Sequence, residues 1–225
     1  MEGAAVTTDP LAAAGLVTRA VRSASRDGVP TKVALAHRTY PTDRADLWDA
    51  LTDAERVARW FLPVTGDLRP GGRYQLQGNA GGVVERCEAP ELLALTWEMG
   101  PLVSWLQVRL AADGGGTRLE LTHEAPVDPA SWEEFGPGAV GVGWDLALVG
   151  LGLHLAGGAA LDPELAAAFP TTPEGVAFVE RAAADWARAA VADGDEPGAA
   201  HAAAGRTTAF YTTVPEDAPA EAAGA

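Results

Sequence analysis

The residue best placed to do chemistry is His123, which lies near the end of a stretch with the alternating pattern of a β-strand. In "TRLELTHE", Leu119, Leu121 and His123 share one face of the predicted strand, and charged or polar side chains occupy the other face. An imidazole among apolar side chains could act as a general base or offer one polar contact to a ligand. We favour a core-edge histidine bonded to a backbone carbonyl, because no second acid, base or nucleophile clearly converges on His123.

A second candidate is Asp145, which follows Trp144 within a long apolar run. Its carboxylate either faces solvent or pairs with a basic residue such as Arg38 or Arg109. A buried and unpaired carboxylate would indicate chemistry, because burial raises the pKa of such a group. His154, further along the same run, is more typical of a packing histidine or a helix-end cap than of a ligand-binding residue.

The spacing of the polar residues indicates neither a metal site nor a cofactor. The four histidines show no HxH or HExxH pattern, and Cys87 is the only cysteine, so we predict no metal. The segment "GPGAVG" at 136–141 matches the dinucleotide pattern G-x-G-x-x-G, but a loop-like stretch precedes it, so we predict no cofactor. Nucleophile-elbow and P-loop patterns are also missing from the sequence. We therefore favour a protein that is not an enzyme, and leave catalysis open.

Composition limits the partners and the compartment. The 225 residues carry a net charge of −15, which disfavours nucleic acid and anionic membranes as partners. A single cysteine fits a reducing compartment, and the N-terminal residues lack a signal-peptide core, so we predict a cytoplasmic protein. The apolar run at 138–156 is about long enough to cross a bilayer, but Asp145 and His154 interrupt it, and we interpret it as a buried helix.

The order of the predicted elements defines an α+β fold. A strand ends at Pro41, and "DRADLWDALT" and "DAERVARWF" predict two short helices, the second with a capping box of Thr52 and Glu55. Five more strands follow between residues 73 and 124, and the run at 138–156 has the apolar repeat of a long helix. We predict a curved antiparallel sheet of about six or seven strands around this helix.

The chain divides into four predicted parts. Residues 1–29 are rich in alanine, end in a linker-like stretch and are predicted to be poorly ordered around one short helix. The domain occupies 30–158. Residues 159–213 form an amphipathic helical extension that packs on the domain or on a second subunit, which would make a homodimer. Residues 214–225 have the composition of a disordered tail.

The combined pattern resembles a known fold family. The stretches "RTYPTDRADLWDALTDAERVARWF", "GDLRPGGRYQL", "GVVERCEAPELLALTW" and "TRLELTH" occur in an order similar to that of the helix-grip fold. This fold belongs to the SRPBCC superfamily, which includes START domains and birch-pollen allergens. The closest resemblance is to the branch named after the activator of the heat-shock-protein-90 ATPase. It covers about residues 31–158 and implies a cavity that binds an apolar small molecule.

The resemblance and the strand pattern together predict the residues that line this cavity. The two short helices would form a lid, with Trp60 and Phe61 where the lid meets the sheet. The predicted lining residues are Trp60, Phe61, Tyr74, Trp97, Leu106, Val108, Leu121, His123, Trp144 and Leu148. Core packing of Trp60 and Phe61 is compatible with this role.

Three functions are compatible with these observations. A protein that binds an apolar small molecule is the one we favour. A co-chaperone or regulator of the heat-shock-protein-90 type, acting through the sheet surface, is the first alternative, and the absence of a recognisable chaperone-binding module in the sequence weighs against it. A cyclase-like or hydrolase-like enzyme that uses His123 is the second alternative.

Overall fold

An eight-stranded antiparallel sheet forms the centre of the protein. The computed structural model describes residues 10–213, so residues 1–9 and the tail 214–225, predicted to be disordered, lie outside the described part. The strands are β1 (Thr18–Arg26), β2 (Val29–Tyr40), β3 (Val64–Gly66), β4 (Arg73–Leu76), β5 (Gly81–Glu88), β6 (Leu92–Met99), β7 (Leu102–Asp113) and β8 (Gly116–Pro126). Their order across the sheet is β1-β2-β8-β7-β6-β5-β4-β3, and every neighbouring pair is antiparallel.

The helices cover the concave face and one edge of this sheet. They are α1 (Pro10–Gly15), α2 (Arg44–Thr52), α3 (Ala54–Trp60), α4 (Pro129–Phe135), α5 (Gly138–Gly157), α6 (Pro163–Ala168), the 3₁₀-helix η1 (Phe169–Thr171), α7 (Pro173–Asp193) and α8 (Pro197–Thr212). The curved, unclosed sheet and the long helix α5 form a helix-grip fold, as the sequence predicts. The strand count is larger than predicted because the short strand β3 and the edge strand β1 both join the sheet.

Apolar side chains on the concave face of the sheet form the core beneath α5. Val108 and Leu121 face each other across β7 and β8, and both are buried. They belong to one apolar cluster with Leu148 and Leu151 of α5. Burial of each such side chain stabilises the fold by about 1.5–3 kcal/mol, so the contact between α5 and the sheet is a major source of stability.

The start of α3 differs from the predicted capping box. The carboxylate of Asp53 accepts a hydrogen bond from the amide of Arg56 at 2.9 Å and caps the helix. Thr52 is the last residue of α2, and its hydroxyl donates to the carbonyl oxygen of Trp48 at 2.7 Å. The prediction of a Thr52–Glu55 box is therefore wrong, because Thr52 is still helical. The shared cap residue makes the link between the two lid helices very short.

The N-terminal segment also differs from the prediction. Residues 1–29 are predicted above to be poorly ordered, yet α1 and β1 occupy most of 10–26, and β1 pairs with β2 along its whole length. The alternation that marks a strand is weak here, because Val21 is the only fully buried residue in β1. The segment is held by its pairing with β2, by Ala14, Val17 and Val21 in the main apolar core, and by a charged contact.

That contact is a buried ion pair between β1 and α5. The Nε atom of Arg19 donates to both carboxylate oxygens of Asp145, at 2.9 and 3.2 Å, and the two side chains are 3% and 0% exposed. Nη1 of Arg19 also donates to Asp185 of α7 at 3.0 Å, and the indole of Trp186 donates to Asp145 at 2.9 Å. Asp145 therefore neither faces solvent nor pairs with Arg38 or Arg109, the options that the sequence left open.

Burial raises the pKa of Asp145 to about 6, while Arg19 and Trp186 act in the opposite direction. The carboxylate is therefore ionised at neutral pH, as its contacts with a guanidinium require. The pair is a structural contact between three elements, and Asp145 is not available as an acid or base.

The extension after residue 158 packs on the domain. Phe178 and Trp186 of α7 are almost fully buried and join the main core cluster. Helix α8 packs on α7 and α4, and the Tyr211 hydroxyl donates to the carbonyl oxygen of Ala139 at 2.6 Å. A homodimer through the extension stays a prediction. Helix α4 lies in the stretch before "GPGAVG" that the sequence predicts to be a loop, so that prediction is wrong, and Asp128 caps the helix.

Helix α5 is a core helix of this fold. Within residues 10–213 it is the one helix that is long and apolar enough, by length and composition, to cross a membrane. In the structure it lies against the sheet, α3 and α7, and its two polar residues Asp145 and His154 are buried inside the protein. These contacts account for its apolar composition.

The buried ion pair leads to a first prediction. Substitution Arg19→Met should reduce the free energy of unfolding at pH 7 by about 3–5 kcal/mol, because it leaves the carboxylate of Asp145 buried without its cation. Urea unfolding followed by circular dichroism measures this loss. The matched control is Arg22→Met on the exposed side of the same strand, which should change stability by less than about 0.5 kcal/mol. Equal effects of the two substitutions would contradict the structural role of the pair.

Candidate functional site

A partly open apolar cavity of about 150 Å³ lies between the lid helices, the sheet and the first half of α5. Its lid side is formed by α2, α3 and the residues that follow them, and its floor by strands β4 to β8. The lining residues are Leu51, Thr52, Val57, Trp60, Phe61, Val64, Leu68, Tyr74, Leu76, Val84, Cys87, Leu93, Leu95, Trp97, Leu106, Val108, Leu121 and Trp144. No Asp, Glu, Lys, Arg or His belongs to this described lining.

The structure brings most of the predicted site residues together. All of them line the cavity except His123 and Leu148. Leu148 packs in the main core further along α5 and is 2% exposed, so it faces protein instead of the cavity. Whether the remaining residues contact a ligand stays a prediction.

Sequence reasoning missed the cavity residues of β5, β6 and the lid. Leu93 and Leu95 share strand parity with Trp97, so the alternation in β6 could have identified them. Cys87 pairs with Leu93 across β5 and β6 and therefore points to the same face. That neighbour relation depends on the register between two strands, for which the sequence carries no direct signal.

Aromatic rings form the wall where the lid, the sheet and α5 meet. Trp60 and Phe61 stack with ring centroids 5.5 Å apart, and Phe61 stacks on Trp144 at 6.2 Å. Trp97 meets Trp144 edge-on at 5.1 Å. Trp60 is fixed to the lid as well, because its indole donates to the carbonyl oxygen of Ala50 at 2.9 Å. The four rings therefore serve as core contacts of the lid and as the wall of the cavity.

The polar atoms at the cavity have partners within the protein. The hydroxyl of Tyr74 donates to the carbonyl oxygen of Thr96 at 2.7 Å, and burial raises the pKa of this phenol. The hydroxyl of Thr52 is bonded inside the lid, to Trp48. The thiol of Cys87 and the indole of Trp97, both neutral groups, also belong to the lining. The cavity therefore suits a neutral, apolar molecule.

His123 lies behind the cavity wall and has both ring nitrogens bonded. The indole of Trp144 donates to Nδ1 of His123 at 3.0 Å, so Nδ1 is unprotonated and Nε2 carries the hydrogen. Nε2 lies 2.7 Å from the hydroxyl oxygen of Ser104, to which it donates. Ser104 in turn donates to the carbonyl oxygen of Trp97 at 3.1 Å. The predicted direct bond from His123 to a backbone carbonyl is therefore wrong, because the Ser104 hydroxyl lies between the ring and the carbonyl of Trp97.

This chain of hydrogen bonds requires a neutral imidazole. Burial lowers the pKa of His123 to about 4, and protonation of Nδ1 would break the bond from Trp144. His123 faces the concave side as its strand position predicts, but the ring of Trp144 separates it from the cavity. Its geometry is that of a residue that orients Trp144, and it has no free nitrogen for general-base chemistry.

The other polar candidates are also engaged in structural contacts. Nδ1 of His154 lies 3.3 Å from the carbonyl oxygen of Ala159, at the end of α5, and Nε2 lies 3.5 Å from Nε of Arg56. Within residues 10–213 no group of three His, Cys, Asp or Glu side chains is placed to hold a metal ion. The absence of a cofactor stays a prediction.

The fold and the cavity together define a helix-grip protein of the SRPBCC superfamily. Residues 41–155 match the model of the family described as activator of Hsp90 ATPase homolog 1-like protein. This match spans half of the chain, so the chain belongs to that family. The family and its structural relatives have a ligand-binding or regulatory fold. The sequence matches no curated protein at a significant level.

Solved structures support the same assignment. The crystal structure of CalU16 from Micromonospora echinospora has 31% sequence identity and a TM-score of 0.62, covering 77% of this chain and 97% of that protein. The solution NMR structure of CalU16 has 32% identity and a TM-score of 0.66, with 79% and 96% covered. A conserved protein of unknown function from Enterococcus faecalis has 14% identity and a TM-score of 0.55, covering 79% and 92%, and supports the fold alone.

The buried histidine leads to a second prediction, on pH dependence. Because the pKa of His123 is about 4 in the folded protein, against 6.5 for an unperturbed histidine, the unfolded chain binds the additional proton between these values. The contribution of His123 to stability should therefore fall as the pH is lowered from about 6.5 to 4, by up to about 3 kcal/mol, at roughly 1.4 kcal/mol per pKa unit, while Asp145, whose pKa is raised, acts in the opposite direction. Urea unfolding as a function of pH measures the effect.

Two variants separate His123 from other titrating groups. His123→Gln should remove this part of the pH dependence, whereas His201→Gln, at an exposed position of α8, should leave the curve unchanged. If the curves of wild type and His123→Gln are parallel between pH 4 and 6.5, the neutral, hydrogen-bonded imidazole is the wrong description.

Proposed function

We propose that this protein binds a neutral, apolar small molecule in the cavity between the lid, the sheet and α5. The observation that carries the proposal is the lining itself, which is apolar and aromatic and contains no charged side chain among the described residues. Binding sites of this kind are concave, mostly apolar and largely formed before the ligand arrives. The family supports a ligand-binding or regulatory role.

The size of the cavity favours a compact ligand. A volume of about 150 Å³ suits a molecule with one or two rings. Trp60, Phe61, Trp97 and Trp144 offer ring faces and edges, and aromatic pairs are stabilised by roughly 0.5–1.5 kcal/mol beyond the burial of their area. We therefore favour an aromatic ligand over a saturated chain in this cavity.

Helix α3 and Phe61 line the cavity on the lid side, so movement of the lid would widen its entrance. The lid packs on the domain through the buried side chains of Leu47, Ala50 and Val57, and Phe61 stacks on Trp144. Local opening of two short helices costs less free energy than global unfolding. A lid of short helices over an apolar cavity is an arrangement that suits a binding protein or carrier.

A catalytic role in this cavity has no support from the residues that line it. General acid–base catalysis needs a titratable group within hydrogen-bond reach of the reacting atoms. His123 has both nitrogens engaged and lies behind Trp144, and Asp145 is ion-paired on the far side of α5. The cyclase-like or hydrolase-like alternative therefore loses the residue on which it rested.

Regulation of an Hsp90-type chaperone is the second candidate, and the description of the family is what favours it. Its test is the ATPase rate of the Hsp90-type chaperone from the same host, with and without this protein. Stimulation that persists when the cavity is filled would support the regulatory role, and an unchanged rate at saturating concentrations would remove it.

A cavity-filling variant provides the third prediction. Cys87 lines the cavity and is half-buried, so Cys87→Phe should place a ring inside it without a polar group or charge. Calorimetric titration with indole should show binding to the wild type and a loss of affinity of about tenfold or more in this variant.

The matched control is Cys87→Ser, which keeps the side-chain volume nearly unchanged. It should bind indole within about threefold of the wild type, since the thiol contributes little to recognition. If Cys87→Phe folds with a native melting curve and binds indole as the wild type does, the cavity is not the binding site.

A further inference from the structure

A second, larger space lies on the other side of the aromatic wall. This cleft of about 860 Å³ runs between α5, the segment 160–170 and the end of α8. Its apolar wall includes Leu146, Val149, Leu153, Leu161 and Phe169. Trp60 and Phe61 line both the cleft and the sheet cavity, so these two rings separate the spaces.

The cleft contains one buried cation, the guanidinium of Arg38 on β2. Arg38 is 5% exposed and lines the cleft from the concave face of the sheet. Its Nη2 atom approaches α5 closely at Gly152, where a Cβ atom would lie 2.8 Å from it. The glycine therefore leaves the space through which the arginine reaches the cleft.

This cation has no counter-ion within the part of the chain that the structure describes. Nη1 donates to the carbonyl oxygen of Leu148 at 3.0 Å, and the guanidinium lies 4.8 Å from the ring centroid of Tyr40. Nε is buried without a hydrogen-bond partner. The other arginine beneath α5, Arg19, is by contrast ion-paired with Asp145 and Asp185.

An unpaired guanidinium in this position is unfavourable for the folded protein alone. Arginine stays protonated, so it cannot relieve the cost of burial by releasing a proton. Buried polar atoms without partners are rare and call for an explanation, and a ligand anion is one that the surroundings favour. We propose that Arg38 is the recognition group of a second site, which binds a monoanionic amphipathic molecule such as a long-chain carboxylate.

The surroundings select the class of ligand. One guanidinium neutralises one negative charge, and it binds a carboxylate in a fixed geometry through its parallel N–H groups. The apolar walls of the cleft suit an alkyl or other apolar tail. Multiply charged ligands are disfavoured, because Asp162 also lines the cleft and the chain carries a net charge of −15.

The test compares dodecanoate with dodecanol by calorimetric titration, below the concentration at which either aggregates. The wild type should bind the carboxylate about ten- to a hundredfold more tightly than the alcohol, because the charged head replaces the missing partner of Arg38. Equal affinities would overturn the proposal, and this comparison needs no variant.

Two variants locate the binding. Arg38→Met should bind dodecanoate no more tightly than dodecanol and should melt at the same or a higher temperature than the wild type without ligand, since it removes an unpaired buried charge. Arg109→Met, an exposed position in β7, is the matched control and should keep the preference. An Arg38→Met protein that keeps the preference would overturn the proposal.

The sheet cavity is tested separately, so that the two sites are not confused. Cys87→Phe should keep the preference for dodecanoate, and Arg38→Met should keep the binding of indole. If Cys87→Phe loses the preference for the acid while Arg38→Met keeps it, the acid binds in the sheet cavity and Arg38 is not its recognition group.

Discussion

The ion pair between Arg19 and Asp145 is the contact that unites the separate parts of this fold. It joins the edge strand β1 to the middle of α5, and through Asp185 and Trp186 it includes α7 as well. Either charge alone in this position would destabilise the protein by several kcal/mol. The three elements therefore become buried as a set, and the N-terminal strand and the C-terminal extension are parts of one structure with the helix-grip domain.

This dependence explains which parts of the fold could be predicted from the sequence. Strands β7 and β8 carry a period-two apolar pattern, and α5 carries a helical repeat. The secondary structure of each can therefore be predicted from a few neighbouring residues. Strand β1 has one buried residue, the apolar Val21, and its charged residue Arg19 forms the ion pair with Asp145. Arg19 looks like an interruption in an apolar run until its partner, 126 residues away, is known.

The same distinction applies to the candidate site. Strand parity was enough to place Leu106, Val108 and Leu121 on the concave face, and the resemblance to helix-grip proteins placed Trp60 and Phe61 at the lid. Strand parity could not show that His123 does not line the cavity. Its exclusion depends on the orientation of the Trp144 ring, which donates a hydrogen bond to His123. Contacts between side chains of different elements decide which inward-facing residues reach an open space.

Helix α5 shows two ways in which one structure accommodates buried charge. On one side the fold supplies the counter-ion itself: Asp145 has Arg19, and the site is filled by protein. On the other side Arg38 meets a backbone carbonyl and an aromatic ring but, within residues 10–213, no carboxylate, and a cleft lies beside it. Charge that serves only folding is expected to be neutralised inside the protein, as at Asp145. The difference between the two arginines therefore separates a contact that holds the fold together from a guanidinium that the described residues leave without a counter-ion.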